Sequence, residues 1–300
     1  MAKKIRVTII DPQNSFCKVV GDLNDPVAAG KEQQRLHDGE LCVKGAWADM
    51  ERVAAMIRRL GDKIDEIDVT LDSHHLLHIS HPIWWRNLAS DQPPTPFTLL
   101  REEKGNIIGS QFINGSMQDV GEFTTYRPSY LKKSLDYLKA LANAKRYPHC
   151  IWPPHCLIGT VGHAIVAPLA DAIFEWEQKN FASANKITKG SNHFVEHFSA
   201  LQAEVTDPAD PSTQLNTDFL DSIIESDEIL LCGEASSHCL ANTVRDMFKG
   251  FKDGNDFIRK AVLLKDGTSP VPGFQNFEDD FLKEMTSKGM RVTTTVDYLK

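Results

Sequence analysis

Residues of reactive type stand just behind four apolar runs of this chain. Asp11 follows Ile5–Ile10, Asp72 and His74 follow Ile67–Leu71, Lys189 follows Ala184–Thr188, and Cys239 lies a few residues past Ile229–Cys232. A thiol becomes a nucleophile once its proton is taken, a carboxylate can carry that proton, and a lysine can supply the positive charge that steadies both. Cys239 is followed by Leu240, Val244, Met247 and Phe248 at helical spacing. The thiol is therefore expected at a helix N-terminus, where the dipole and free N–H groups favour a thiolate and can hold an oxyanion. His238 is its neighbour in sequence, but adjacent residues on a helix point apart, so the two are not expected to form a dyad. The loop Asp72-Ser73-His74-His75-Leu76-Leu77-His78 offers a carboxylate and imidazoles to Zn²⁺ or a similar divalent ion. The proline-held stretch Trp152-Pro153-Pro154-His155-Cys156 can present His155 to the same ion. Taken singly, each residue has an ordinary reading as a turn former, a solvated charge or a small core side chain. Their convergence on one edge of one sheet is what carries information.

That edge must be built by the elements around it. The β-branched runs Ile5–Ile10, Ile67–Leu71, Ala184–Thr188, Ile229–Cys232, Lys260–Leu264 and Met290–Thr295 read as strands separated by amphipathic stretches. Helices are expected over Ala46–Leu60, stopped by Gly61, and near Asp218–Ile224 and Phe277–Thr286. The pattern predicts an α/β fold: a doubly wound, Rossmann-like, six-stranded and mainly parallel sheet with helices on both faces. Such sheets bind ligands outside the carboxyl ends of their strands. One domain spanning 1–300 is expected, with a long loop over 17–45 and an insertion subdomain after strand two at about 82–150. The insertion contains a Pro-rich loop at Pro93, Pro94 and Pro96 and a helix whose shared face would be Leu131, Leu135, Leu138 and Ala142. With its ends anchored beside the site, it is expected to cap the pocket mouth, or else to serve a subunit contact.

Composition narrows the class of partner. The 300 residues are 41% hydrophobic and 25% charged, enough to bury a sizeable core. With 33 basic against 41 acidic residues the net charge is −8, which argues against nucleic acid and against anionic membrane surfaces. The start MAKKIRVTIID has no signal-peptide core, and no segment approaches a membrane span. Six cysteines without a CxxC pair read as reduced thiols, so a cytoplasmic setting is expected, with a small-molecule substrate and a possible homo-oligomer.

Six stretches, in order, resemble the nicotinamidase and pyrazinamidase branch of the isochorismatase-like cysteine hydrolases. They are Ile10 to Cys17, Gly39 to Ala46, Asp72-Ser73-His74 with His78-Ile79-Ser80, Trp152 to Cys156 with Gly159-Thr160, Lys189-Gly190, and Gly233 to Cys239. The resemblance implies a triad of Asp11, Lys189 and Cys239, and one divalent metal, Zn²⁺ with Fe²⁺ or Mn²⁺ as alternatives, on Asp72, His74 and His155. His78 matches a position that ligates metal in some members only. Phe16 and Trp152 match the aromatic walls around a pyridine ring, and the N–H groups of Ala235 and Cys239 match an oxyanion hole behind a cis Glu234–Ala235 bond. The implied activity is hydrolysis of nicotinamide or a similar aromatic carboxamide through a cysteine thioester. This sequence departs from the family at Pro12, at Ser15, in the length of the insertion, and at Glu234, where a carboxylate is expected to raise the Cys239 pKa. Two other readings are a metal-free cysteine hydrolase of the same family acting on another small amide, and a non-catalytic binding or assembly protein on this fold. The Asp72 and His74 pair weighs against the first, and the joint presence of Asp11, Lys189 and Cys239 against the second.

Overall fold

A computed structural model describes residues 3–17 and 40–300. Most of the long loop expected over 17–45 lies outside the described residues. Six strands, β1 (Ile5–Ile10), β2 (Glu66–Asp72), β8 (Asn185–Lys189), β9 (Glu228–Gly233), β10 (Ala261–Leu264) and β11 (Arg291–Thr293), form one parallel sheet in the order β11-β10-β9-β1-β2-β8. All six coincide with the apolar runs of the sequence to within one or two residues at most ends. Lys260 is an exception: it closes helix α7 (Gly254–Lys260), and β10 begins after it.

The sheet is clad by helices on both faces. Helix α2 (Ala46–Leu60) packs against α4 (Ala167–Asn180), and α6 (Cys239–Gly250) packs against α7. The apolar stripe of α2, Met50, Val53, Ala54, Ile57 and Leu60, is buried as its spacing predicts, and the Gly61 N–H closes the helix on Ile57 O. The helices α5 (Thr217–Ile224) and α8 (Gln275–Ser287) also stand where periodicity places them. Helix α4 was not foreseen. Among the described residues no helix is long and apolar enough to cross a membrane.

Chain order reverses between β1 and β9, which makes the gap at their carboxyl ends the switch point of the sheet. Gly233, at the end of β9, has φ +103°, and a Cβ there would lie 2.1 Å from Ile10 O. Only a glycine lets the turn after β9 come this close to the turn after β1.

The insertion differs most from expectation. It is a second, antiparallel sheet ordered β3-β6-β5-β4-β7, with β3 Trp85–Asn87, β4 Leu99–Glu103, β5 Asn106–Ile113, β6 Ser116–Thr125 and β7 His149–Cys150. The turn Asn114-Gly115 joins β5 to β6 with φ +52° and +86°, the signature of a tight two-residue hairpin. Strand β6 is largely exposed over Ser116–Glu122 and rich in Gln, Asp and Glu, so its apolar alternation is weak. Helix α3 (Leu131–Asn143) is present but rolled: Ser134, Tyr137, Leu138 and Leu141 face inward, and Ala142 is exposed. The Trp84 indole N–H donates to Ser134 Oγ at 3.0 Å, which helps fix that roll. The insertion has its own apolar core, centred on Trp84, Trp85, Leu100, Ile107, Phe123 and Leu138.

Candidate active site

The first side chain at the switch point is Asp11, fully buried just past β1. Its N–H donates to Thr70 Oγ1 at 3.0 Å, and the Thr70 hydroxyl donates back to Oδ1 at 2.6 Å. Oδ2 lies 2.9 Å from Lys189 Nζ, which crosses β2 from the neighbouring strand β8. The same ammonium is 3.1 Å from Asp72 Oδ1 and 3.7 Å from Cys239 Sγ, and it donates to His197 O at 3.0 Å. Asp11, Asp72 and Cys239, each placed behind a different strand, thus meet at the Lys189 nitrogen, and Cys239 is the first residue of α6.

Burial governs their protonation. It raises the Asp11 carboxyl, against the lowering pull of Lys189. Burial likewise pushes the Cys239 thiol well above its ordinary value, opposed by Lys189 and reinforced by Asp11 and Asp72. Lys189 stays well above the usual lysine value because Asp11 and Asp72 outweigh its own desolvation. The acids that act on the thiol are therefore Asp11 and Asp72. Glu234 turns to Ser269 and Asp49 instead: Ser269 N–H donates to its Oε2 at 3.3 Å, and burial followed by Asp49 holds the carboxyl well above the carboxylate range. Glu234 is therefore not among the leading charges on the nucleophile.

The Glu234–Ala235 peptide bond is cis. Among the described residues neither the Ala235 N–H nor the Cys239 N–H donates a hydrogen bond to backbone. Both sit at the entry to α6, where helix N–H groups have no intrahelical acceptor.

Asp72, His74 and His155 bring one ligand atom each within 4.8 Å of one another, all buried. His74 Nδ1 faces Gly190 O at 3.1 Å and His155 Nδ1 faces Pro153 O at 2.8 Å. A carbonyl can only accept, so both Nδ1 atoms carry the hydrogen, and in the neutral rings both Nε2 atoms present lone pairs. Those Nε2 atoms lie 2.9 and 3.3 Å from Asp72 Oδ2. Three electron-pair donors face one another, and the pull of Asp72 raises His74 against the lowering effect of burial. The donor set asks for positive charge and fits a divalent ion of the Zn²⁺ type. A Cβ at Gly190 would come within 2.8 Å of Asp72 Oδ1 and 2.9 Å of the His74 ring, so the close fit requires the glycine, whose φ is +84°.

His78 packs against His74 at 4.4 Å between centroids, with Nδ1 2.6 Å from Ser80 Oγ and Nε2 without a partner, and burial holds its pKa well below the ordinary value. His81 has the same character: its Nδ1 is 3.0 Å from Leu76 O, its ring is 5.5 Å from His74, and burial lowers it to about 3. His81 was missed because its spacing from Asp72 matches no ligand pattern.

Over 96 to 99% of its length this chain superposes on solved structures. A nicotinamidase/pyrazinamidase from Acinetobacter baumanii matches with a TM-score of 0.58 at 17% identity, covering 99% of this chain and 98% of that one. The yeast nicotinamidase matches with a TM-score of 0.56 at 17% identity over 96% of this chain and 99% of its own. The pyrazinamidase of Pyrococcus horikoshii, solved in complex with zinc, matches with a TM-score of 0.50 at 17% identity over 97% and 99%. The fold is that of the nicotinamidases. No protein-family model and no curated protein matches the chain.

Within this nicotinamidase fold, a narrow cavity opens onto Cys239. Phe16, Trp152 and Ala235 line it as the sequence suggests, together with Asp72 and His155. Leu41, Glu196, Phe198, His238 and Val271 line it too and were not foreseen. His238 is held neutral, lowered to about 3 by burial, with its ring 5.3 Å from Trp152 and 4.8 Å from Phe274. It is a wall and not a base, in keeping with its place beside Cys239 in sequence. Ser15 accepts the Cys156 N–H at 2.8 Å and donates to Glu40 at 2.6 Å.

No insertion residue over 82–150 lines this cavity among the described residues. The insertion instead contacts residues of the walls and of the histidine loop. Phe97 meets Trp152 edge-on at 5.8 Å, and the Tyr137 hydroxyl accepts the Glu196 N–H at 3.2 Å. The Ile79 carbonyl, in the histidine loop, accepts from the Trp85 indole at 2.6 Å and from His149 Nε2 at 3.0 Å. A cap over the mouth is therefore not what these contacts build.

Proposed function

We propose that this chain is a nicotinamidase-like cysteine amidohydrolase, converting nicotinamide or a similar aromatic carboxamide to the acid and ammonia. The observation that carries the reading is the single ammonium of Lys189, 2.9 Å from Asp11 and 3.7 Å from the Cys239 sulfur. A raised Asp11 carboxyl suits a group that must both take and return a proton, and a thiol raised by burial forms its thiolate only as that proton leaves.

In this mechanism Asp11 accepts the Cys239 proton, and the sulfur attacks the carboxamide carbon. The oxyanion is received by the Ala235 and Cys239 N–H groups. On collapse, Asp11 returns its proton to the leaving nitrogen, ammonia departs and a thioester remains on Cys239. Asp11 then takes a proton from water, whose oxygen attacks the thioester, and the acid leaves as the thiol is restored. Lys189 holds Asp11 and the developing thiolate in place throughout. Asp72, His74 and His155 would hold a divalent ion, whose chemistry here is to anchor an electron-pair donor such as a ring nitrogen. Phe16 and Trp152 would flank the ring. The test is ammonia release from nicotinamide, pyrazinamide and aliphatic amides, with and without chelator. Activity on aliphatic amides alone, indifferent to chelator, would favour the metal-free alternative.

A further inference from the structure

Glu234 is fully buried, and nothing in the amide chemistry uses it. Its surroundings form a strap. The Glu234 N–H donates to Ile10 O at 2.7 Å, and the Ser236 N–H donates to Ser269 O at 3.0 Å. Val271 N–H donates to Ser237 Oγ at 3.0 Å, and the Thr268 hydroxyl donates to Gly233 O at 2.5 Å. The segment 268–271 thus runs alongside 233–237 and holds it at several points. Ser269 extends the tie to helix α2: its hydroxyl donates to Asp49 Oδ2 at 2.6 Å while its N–H donates to Glu234 Oε2.

The two carboxyls complete the circuit. Asp49 is close-paired with Arg52, whose Nε also donates to Asp266 O at 2.6 Å, so Asp49 carries the negative charge. Glu234 Oε1 is buried and has no conventional donor among the described residues. Two buried carboxyls facing each other cannot both ionise, and a shared proton turns the pair into a hydrogen bond. Both groups are raised by burial, and the bond between them lowers Asp49 while raising Glu234, which puts the proton on Glu234.

We propose that Glu234 is a positioning residue: as a carboxylic acid donating to Asp49 and accepting from Ser269, it fixes the 233–239 loop and with it the Ala235 and Cys239 N–H groups. It touches no substrate and acts only through that loop. An apolar residue of equal size would fill the space but leave the Ser269 N–H and the Asp49 carboxylate without their partner, and the loop would lose its tie to α2.

The kinetic arm of the test rests on the amidohydrolase reading. Displaced oxyanion donors are felt in the transition state more than in the ground state, so Glu234→Leu should lower kcat about 10- to 100-fold with KM within about 3-fold. Glu234→Gln can donate to Asp49 and accept from Ser269, and should restore kcat to within about 3-fold of the parent protein. Wild-type kcat in Glu234→Leu, or an equal loss in Glu234→Gln, overturns the proposal. Should Glu234→Leu fail to fold by circular dichroism, Glu234→Asp, which keeps the acid but shortens its reach, carries the same expectation of a kcat loss. If the parent protein releases no ammonia from any amide, the amidohydrolase reading fails on its own. The loop is then read by iodoacetamide labelling of Cys239 followed by mass spectrometry. Glu234→Leu should change that rate at least about 5-fold and Glu234→Gln less than about 2-fold, since thiol reactivity follows its local donors; equal rates in all three proteins overturn the proposal.

Discussion

Two regions on either side of Cys239 each bury a pair of acids, and they neutralise them by different means. At the sheet edge, Asp11 and Asp72 share the Lys189 ammonium, at 2.9 and 3.1 Å. Beneath the 233–239 loop, Glu234 and Asp49 share a proton, with Arg52 on the outer side of Asp49. A shared cation leaves each carboxylate free to take a proton during a reaction. A shared proton leaves none free, and the pair serves as a brace. The comparison separates acids that can do chemistry from acids that hold chemistry in place, although both kinds are equally hidden from water.

The sharpest way to break the comparison is at the sulfur. Cys239→Ala should reduce ammonia release to background while the circular dichroism spectrum stays unchanged, because only a small side chain is removed. Asp11→Asn should cost at least about 10³-fold in kcat, since an amide carries no exchangeable acid proton. An active Asp11→Asn protein would mean that the sheet-edge pair is also only a brace.

Lys189→Met comes next. It leaves Asp11 and Asp72 buried with no shared cation, so the folded state should lose about 3–5 kcal/mol in urea unfolding, beyond any loss of activity. Unchanged stability would show that the two acids are neutralised by protons after all.

Elemental analysis of protein purified without added metal should find about one divalent ion per chain, and His155→Ala should remove it, because a three-ligand site does not survive the loss of one ligand. Metal retained in His155→Ala would move the site towards His78 and His81.

The smallest expected effect concerns a third pair of acids. Glu204 and Asp246 share Arg146, at 2.9 and 3.2 Å, yet burial raises Glu204 to about 7. It therefore stands between the two cases: one cation for two acids, with a proton held near neutrality. A carboxyl whose folded pKa is raised stabilises the fold below its unfolded value, and that contribution is lost as pH rises through the folded value. Stability should fall between about pH 4.5 and 7 by no more than about 3 kcal/mol, and Glu204→Gln should flatten that slope in melts taken across the window.

How much of this was legible depended on which side of each residue faces solvent. The inner strands β1, β2, β9 and β10 are buried on both faces and stand out as apolar runs, which places Asp11, Asp72 and Cys239 behind them, whereas the edge strand β8 ahead of Lys189 is half exposed and reads more weakly. Strand β6 faces water along most of its length, so its polar residues hid a strand that only the Asn114-Gly115 turn announced. Helix α3 was seen, but its face was misread because Ser134 and Tyr137 point inward to partners that sequence spacing cannot reveal, Trp84 and Glu196. Glu196, Phe198 and Val271 line the cavity from irregular segments with no periodicity to place them. Glu234 was noticed as unusual, but its direction was not, since the partner that claims it, Asp49, lies far away in sequence.

The twofold grip on the Ile79 carbonyl bears on how this molecule can be taken apart. Trp85 and His149 hold that oxygen from the two ends of the insertion, and the Trp152 N–H reaches Ser80 O at 2.7 Å directly beyond it. Three hydrogen bonds thereby tie the appendage to the histidine loop, and amide exchange in the two is expected to rise together when they are broken. Excising or loosening the insertion would therefore strip the loop that carries His78 and His81 of two of its hydrogen-bond donors.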